Sequence, residues 1–111
     1  MEDKIISGYL YDFYGELLNS HQREVYEMSV LEDLSLSEIA ESLSISRQAV
    51  HDILKRCDHL LHEYEDKLHL VDKFLTIRQD VVKIDELTKH EASPETLIQI
   101  SQLSGLILEE L

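Results

Sequence analysis

The sequence predicts an all-α fold, and three observations carry that prediction. Among 111 residues there are only 3 glycines and 1 proline, so the chain lacks the residues that close hairpins and punctuate short strands. Apolar residues recur at three- and four-residue steps through most of the chain, which places them on single helical faces. Helix-capping serines (Ser20, Ser35, Ser46, Ser93) stand directly before several of these segments. With 43% apolar residues, the chain has enough for one small helical core.

The first helix is expected from about Asp3 to Leu18, with Ile6, Tyr9, Leu10, Phe13 and Leu17 on one face. Tyr9, Tyr11, Phe13 and Tyr14 also fall here. Their helical spacing reads as core packing with tyrosine hydroxyls reaching outward, in preference to a base-stacking platform. Ser20 is the expected cap of a second helix reaching about Leu31, to which Val25, Tyr26 and Met28 contribute apolar side chains.

Ser35-Leu36-Ser37-Glu38 has the pattern of a capping box, in which serine and glutamate each satisfy a backbone amide of the other. A short helix carrying Ile39, Ala40 and Leu43 follows, then Ser44-Ile45-Ser46, then a new start at Arg47-Gln48-Ala49-Val50. Two helices joined by so short a turn form a helix-turn-helix, placed at about residues 35–56. The spacing supports the motif. Ala40 is the small residue where the helices touch, and Val50, ten later, plugs their crossing. Ile39, Leu43, Ile45 and Ile53 fill the other positions that need apolar groups. Only Ser44 departs, standing where glycine is usual.

From Ser46 to Glu91 there is neither glycine nor proline. Val50, Ile53, Cys57, Leu60, Tyr64, Val71 and Phe74 mark an apolar seam. The second helix of the motif therefore either runs far beyond it or breaks near Leu68. His90-Glu91-Ala92 is the expected late loop, and Ser93-Pro94-Glu95 starts a last helix carrying Leu97, Ile100, Leu103, Ile107 and Leu111. The expected organisation is a helix-turn-helix domain over 1–66 and a helical extension over 67–111, packed on that domain or on a second chain. A homodimer is the expected assembly.

The formal net charge is −13, which argues against a general nucleic-acid coat or an anionic-membrane binder. The charge is uneven. Residues 1–45 carry −8, residues 46–78 carry 0 and residues 79–111 carry −5. Within the neutral part, Arg47, Gln48, His51, Lys55 and Arg56 are the candidate nucleic-acid-binding residues. Arginine and glutamine at a helix N-terminus can read base edges in the major groove, and lysine suits phosphate. Asp52 in their midst opposes that use, and a solvated polar face is the competing reading.

No apolar run approaches the roughly 20 residues of a membrane span, and Met1-Glu2-Asp3-Lys4 does not read as a signal peptide. The expectation is a cytoplasmic protein. Nor does the sequence hold a phosphate loop or a nucleophile elbow, so a non-enzyme without cofactor or metal is expected. Cys57, the single cysteine, reads as a buried inert thiol. Acidic pairs such as Glu65-Asp66 read as solvated helix charges. His59, His62, Asp66 and His69 are a weak metal constellation, expected to be ordinary surface.

Several of these strings resemble region four of bacterial sigma factors and, more closely, the YlxM family of small Gram-positive proteins. They are Leu10-Tyr11-Asp12-Phe13-Tyr14, Leu17-Leu18 with Gln22, Leu36-Ser37-Glu38-Ile39-Ala40-Glu41, Ser46-Arg47-Gln48-Ala49-Val50, Lys55-Arg56, Tyr64-Glu65 and Lys67-Leu68. The resemblance covers about residues 9–75. It implies a sigma-region-four-like helical fold and a regulatory role linked to the signal recognition particle (SRP) pathway. It also implies that Arg47, Gln48, His51 and Lys55 face nucleic acid. Two mechanisms stay open: DNA binding, or a module engaging SRP RNA or the particle's GTPase through acidic helices.

Overall fold

The computed structural model describes residues 3–111; Met1 and Glu2, part of the N-terminal segment read above against a signal peptide, lie outside them. The described residues form six α-helices and one 3-10 turn, with no strand. They divide into two compact units, one ending at His69 and the other covering Leu70–Leu111.

In the first unit, α1 spans Lys4–Tyr14 and passes into a 3-10 turn at Gly15–Leu17. Asp3 caps α1 by accepting the Ile5 amide. The buried face is Ser7, Leu10, Tyr11, Tyr14 and Leu18, not the face through Phe13 and Leu17, which are 39% and 56% exposed. The expected stripe is thus corrected by a rotation of part of a turn. Tyrosines are amphipathic enough to go inward when a carboxylate awaits the hydroxyl. Tyr11 donates to Glu27 on the second helix, and Tyr14 donates to Glu65 on the fourth. Glu65 is accordingly a half-buried acceptor and no freely solvated charge. Gly15 is set by close approach: a Cβ there would lie 2.7 Å from the Tyr11 ring.

Helix α2 covers Ser20–Val30. Its cap is Asn19, one residue before the expected Ser20, because Asn19 and Gln22 form the reciprocal capping box. Val25 and Tyr26 face inward, and Tyr26 stacks on Tyr11 at 5.4 Å.

Helix α3 spans Leu36–Leu43, with the Ser35–Glu38 capping box formed in both directions. It ends at Ser44 in the left-handed region, φ 56°. The Ile45 amide reaches the Ala40 carbonyl and the Ser44 amide that of Glu41, a Schellman closure. A side chain in this conformation costs about 1–2 kcal/mol, which glycine escapes. Ser44→Gly is therefore expected to raise stability by about 0.5–1 kcal/mol, read as an upward shift of the denaturant midpoint.

Helix α4, Arg47–Leu68, begins at the Ser46 cap and stops where His69 turns left-handed at φ 55°. The long helix thus breaks at the end of the first unit. Val50, Cys57 and Leu61 are its buried residues, Leu61 taking the place expected of Leu60. The crossing of α3 and α4 is closed by Val25, Ile39, Ala40 and Val50, with Leu43, Ile45, Ile53 and Leu54 packed around them. Every apolar residue predicted for the motif is in this cluster or against it.

In the second unit, α5 spans Leu70–Thr88 and α6 spans Pro94–Glu110, and the two helices pack on each other. Ser93 caps α6 through the Thr96 amide, with Pro94 in the first turn. No residue of α6 is fully buried. No helix among the described residues is long and apolar enough to cross a membrane.

Candidate nucleic-acid interface

The helix-turn-helix fixes what the start of α4 presents. Val50 and Ile53 are drawn into the crossing, and an α-helix advances 100° per residue, so the opposite side is presented to solvent. Gln48, His51 and Lys55 share that side, and Arg47 and Arg56 stand about 90° from its centre on opposite flanks; all five are exposed. The structure therefore brings together three of the five candidate residues, with an arginine on either side of them.

Asp52 organises the face. Gln48 donates its Nε2 amide to Asp52 Oδ1 at 2.9 Å, and His51 Nδ1 stands 3.5 Å from the same oxygen. Each keeps one donor site for another group, the second Nε2 hydrogen of Gln48 and Nε2 of His51, but Asp52 fixes the direction in which it points. Arg47, Lys55 and Arg56 take part in none of the ion pairs found among the described residues. Three cations are thus available to an anionic ligand, which is few for a duplex and sets a shallow salt dependence.

Cys57 lies behind this face, fully buried, with Sγ 3.8 Å from the Gln22 carbonyl. Burial, with the neighbouring Asp58 charge adding to it, pushes the thiol up to about 11. A thiol raised this far stays protonated and non-nucleophilic through neutral pH. Reaction of the native protein with a thiol reagent at pH 8 is expected to be slow and to become fast on unfolding. Rapid labelling of the folded chain would contradict the buried site.

Sequence reasoning missed Asp58, which sits half-buried next to Cys57. Its carboxyl is pushed upward by burial, an effect partly offset by the Tyr26 hydroxyl and by His62. A polar residue four positions after the inward-facing Leu54 was the available signal. The histidines behave as surface groups: His59 pairs loosely with Glu63, and His62 Nδ1 is 3.0 Å from the Asp58 carbonyl oxygen. No group of three or more metal-ligating side chains converges among the described residues.

A family model described as UPF0122, "Putative helix-turn-helix protein, YlxM / p13 like", matches residues 1–103. The chain belongs to the UPF0122 family. A UPF0122 protein of Thermoanaerobacter sp. (strain X514) is 42% identical over 112 residues, covering 97% of this chain and 96% of the relative. One from Caldanaerobacter subterraneus subsp. tengcongensis is 49% identical over 85 residues, covering 77% and 73%. One from Clostridium kluyveri is 51% identical over 80 residues, 72% of each chain. The UPF0122 match takes in the whole helix-turn-helix, from the Ser35 cap through Arg56, and agrees with the YlxM resemblance read from the sequence.

Proposed function

We propose that this UPF0122 chain is a cytoplasmic helix-turn-helix regulatory protein of the SRP pathway that binds duplex DNA through the start of α4. The observation that supports this most is the crossing of α3 and α4, which buries every apolar motif position and leaves Arg47, Gln48, His51 and Lys55 outward. In the major groove, Arg47 and Gln48 would address base edges, while Lys55 and the flanking Arg56 would hold phosphate. The assignment to the SRP pathway rests on the YlxM resemblance alone. The test is a titration of labelled protein with random-sequence duplex DNA at low salt. Amide shifts confined to residues 46–56 that fade as salt rises are expected. Absence of shifts there overturns DNA binding.

The clamp of Asp52 on Gln48 and His51, in a chain of net charge −13, favours a second reading. In it the motif is an interaction module for SRP RNA or the SRP GTPase, its acidic helices meeting basic surfaces. The same titration with SRP RNA and with the GTPase separates the two.

The proposed assembly is a homodimer through the second unit. On α6, Leu97 and Leu108 are 63% and 70% exposed, and three turns of helix place them on one side. Two helices alone cannot enclose a core, and a second copy would complete a four-helix layer. Leu97→Glu with Leu108→Glu is expected to convert a dimer to a monomer by light scattering, with helix content unchanged. A wild-type chain that is already monomeric ends the idea.

A further inference from the structure

The first unit contains a groove of about 710 Å3 that shares only His51 and Lys55 with the proposed nucleic-acid face. It opens between the start of α1, the end of α2, the start of α3 and one side of α4. Val30, Leu34 and Leu54 line it with apolar surface, and Tyr26 and Asp58 supply its inner polar groups. The volume lies in the range of roughly 300–1,000 Å3 typical of ligand-binding clefts.

The charges around the groove are mostly engaged. Lys4 is paired with Asp33. Glu38 is held by Ser35 in the capping box. His51 leans on Asp52. Lys55 is exposed at the mouth and makes no ion pair with Asp58 among the described residues. Asp58 is left as a half-buried carboxylate that takes part in none of the ion pairs among the described residues. A carboxylate removed from water without a full cation is costly, and an incoming cation would relieve that cost. Charge complementarity extends beyond this group, because the first unit holds 15 acidic and 6 basic residues.

The shape narrows the occupant. Each regular element around the groove is a helix whose backbone bonds are internal, so no edge is offered for strand addition. Recognition has to come through side chains, as when an amphipathic helix lies in a groove. The chain's own α6 is a poor candidate, since its only charges are Glu95, Glu109 and Glu110.

We infer that this groove docks an amphipathic helix of a partner protein, whose apolar side chains cover Val30, Leu34 and Leu54 and whose single arginine reaches Asp58. Docking there would also cover His51 and Lys55, so partner and nucleic acid would compete for one side of α4.

The experiment uses the full chain and no nucleic acid, so its outcome is independent of the DNA reading. One probe is a 14-residue helical peptide of leucine, alanine and glutamine with one central arginine. Its twin carries neutral citrulline in that place. The arginine peptide is expected to shift the amides of Tyr26, Leu34, Leu54 and Asp58, and to bind about tenfold or more tightly than its twin. Asp58→Asn removes the charge while keeping the size of the side chain, and is expected to abolish the preference between the two peptides. Equal binding of both peptides to the wild-type chain overturns the inference, as do shifts outside the groove. Because that comparison needs no variant, it stands even where Asp58→Asn fails to fold.

Discussion

If the start of α4 binds duplex DNA as proposed, Arg47→Ala combined with Lys55→Ala is expected to abolish that binding at low salt and to leave the helical content unchanged. Both side chains are exposed and outside the ion pairs among the described residues, so their removal costs the fold little. The ligand loses much more. An arginine that clamps a base contributes about 1–3 kcal/mol, and each lost phosphate contact lowers the salt slope by about 1. The combined loss is about a hundredfold or greater, measurable by fluorescence anisotropy against salt. Affinity that survives the double substitution removes α4 from the nucleic-acid surface. The single substitution Gln48→Ala leaves every cation in place; it removes a base-edge donor and also frees Asp52, so affinity is expected to fall with the salt slope unchanged.

Ile39→Ala lowers stability by about 2–5 kcal/mol, the usual range for emptying a buried aliphatic site. Ile39 is 0% exposed and sits where α3 crosses α4, against Val25, Ala40 and Val50. The side chains around it come from three helices held by caps and long-range contacts, so collapse into the void is limited. A domain of this size shifts its midpoint by roughly 4–8 °C per kcal/mol, so a drop of at least about 8 °C is expected by thermal denaturation. Because the same cluster orients α4, ligand binding should fall in parallel with stability. A variant with wild-type melting would mean that the crossing is held elsewhere.

Much of the motif was legible because its determinants are local. The Ser35–Glu38 box, the Ser46 cap and the Ser93-Pro94 start each depend on groups within three residues of one another. Ser44 could be recognised as the turn residue even without glycine, since the closure needs one left-handed residue and two backbone amides. The outward placement of Arg47, Gln48, His51 and Lys55 was also readable, because Val50 and Ile53 fix the opposite side of the helix. Asp52 was visible as a misplaced charge, but its hold on two neighbours was not.

The first helix shows where local information ends. Two overlapping stripes were available on it, one through Phe13 and Leu17 and one through Tyr11 and Tyr14. Apolar periodicity alone favours phenylalanine and leucine inside. The fold buries the tyrosines because Glu27 and Glu65 arrive from α2 and α4 to accept their hydroxyls. The site at Asp58 has the same origin, since its surroundings come from α1, α2, α3 and α4 together.

Interactions spanning a few residues make the all-α class, the starts of α3, α4 and α6, the helix-turn-helix and the outward face of α4 legible in the chain. Long-range packing set which side of α1 is buried, made Glu65 an acceptor and brought four helices around a groove at Asp58. Those outcomes depend on desolvating polar groups against partners up to 51 positions away, which no local periodicity encodes.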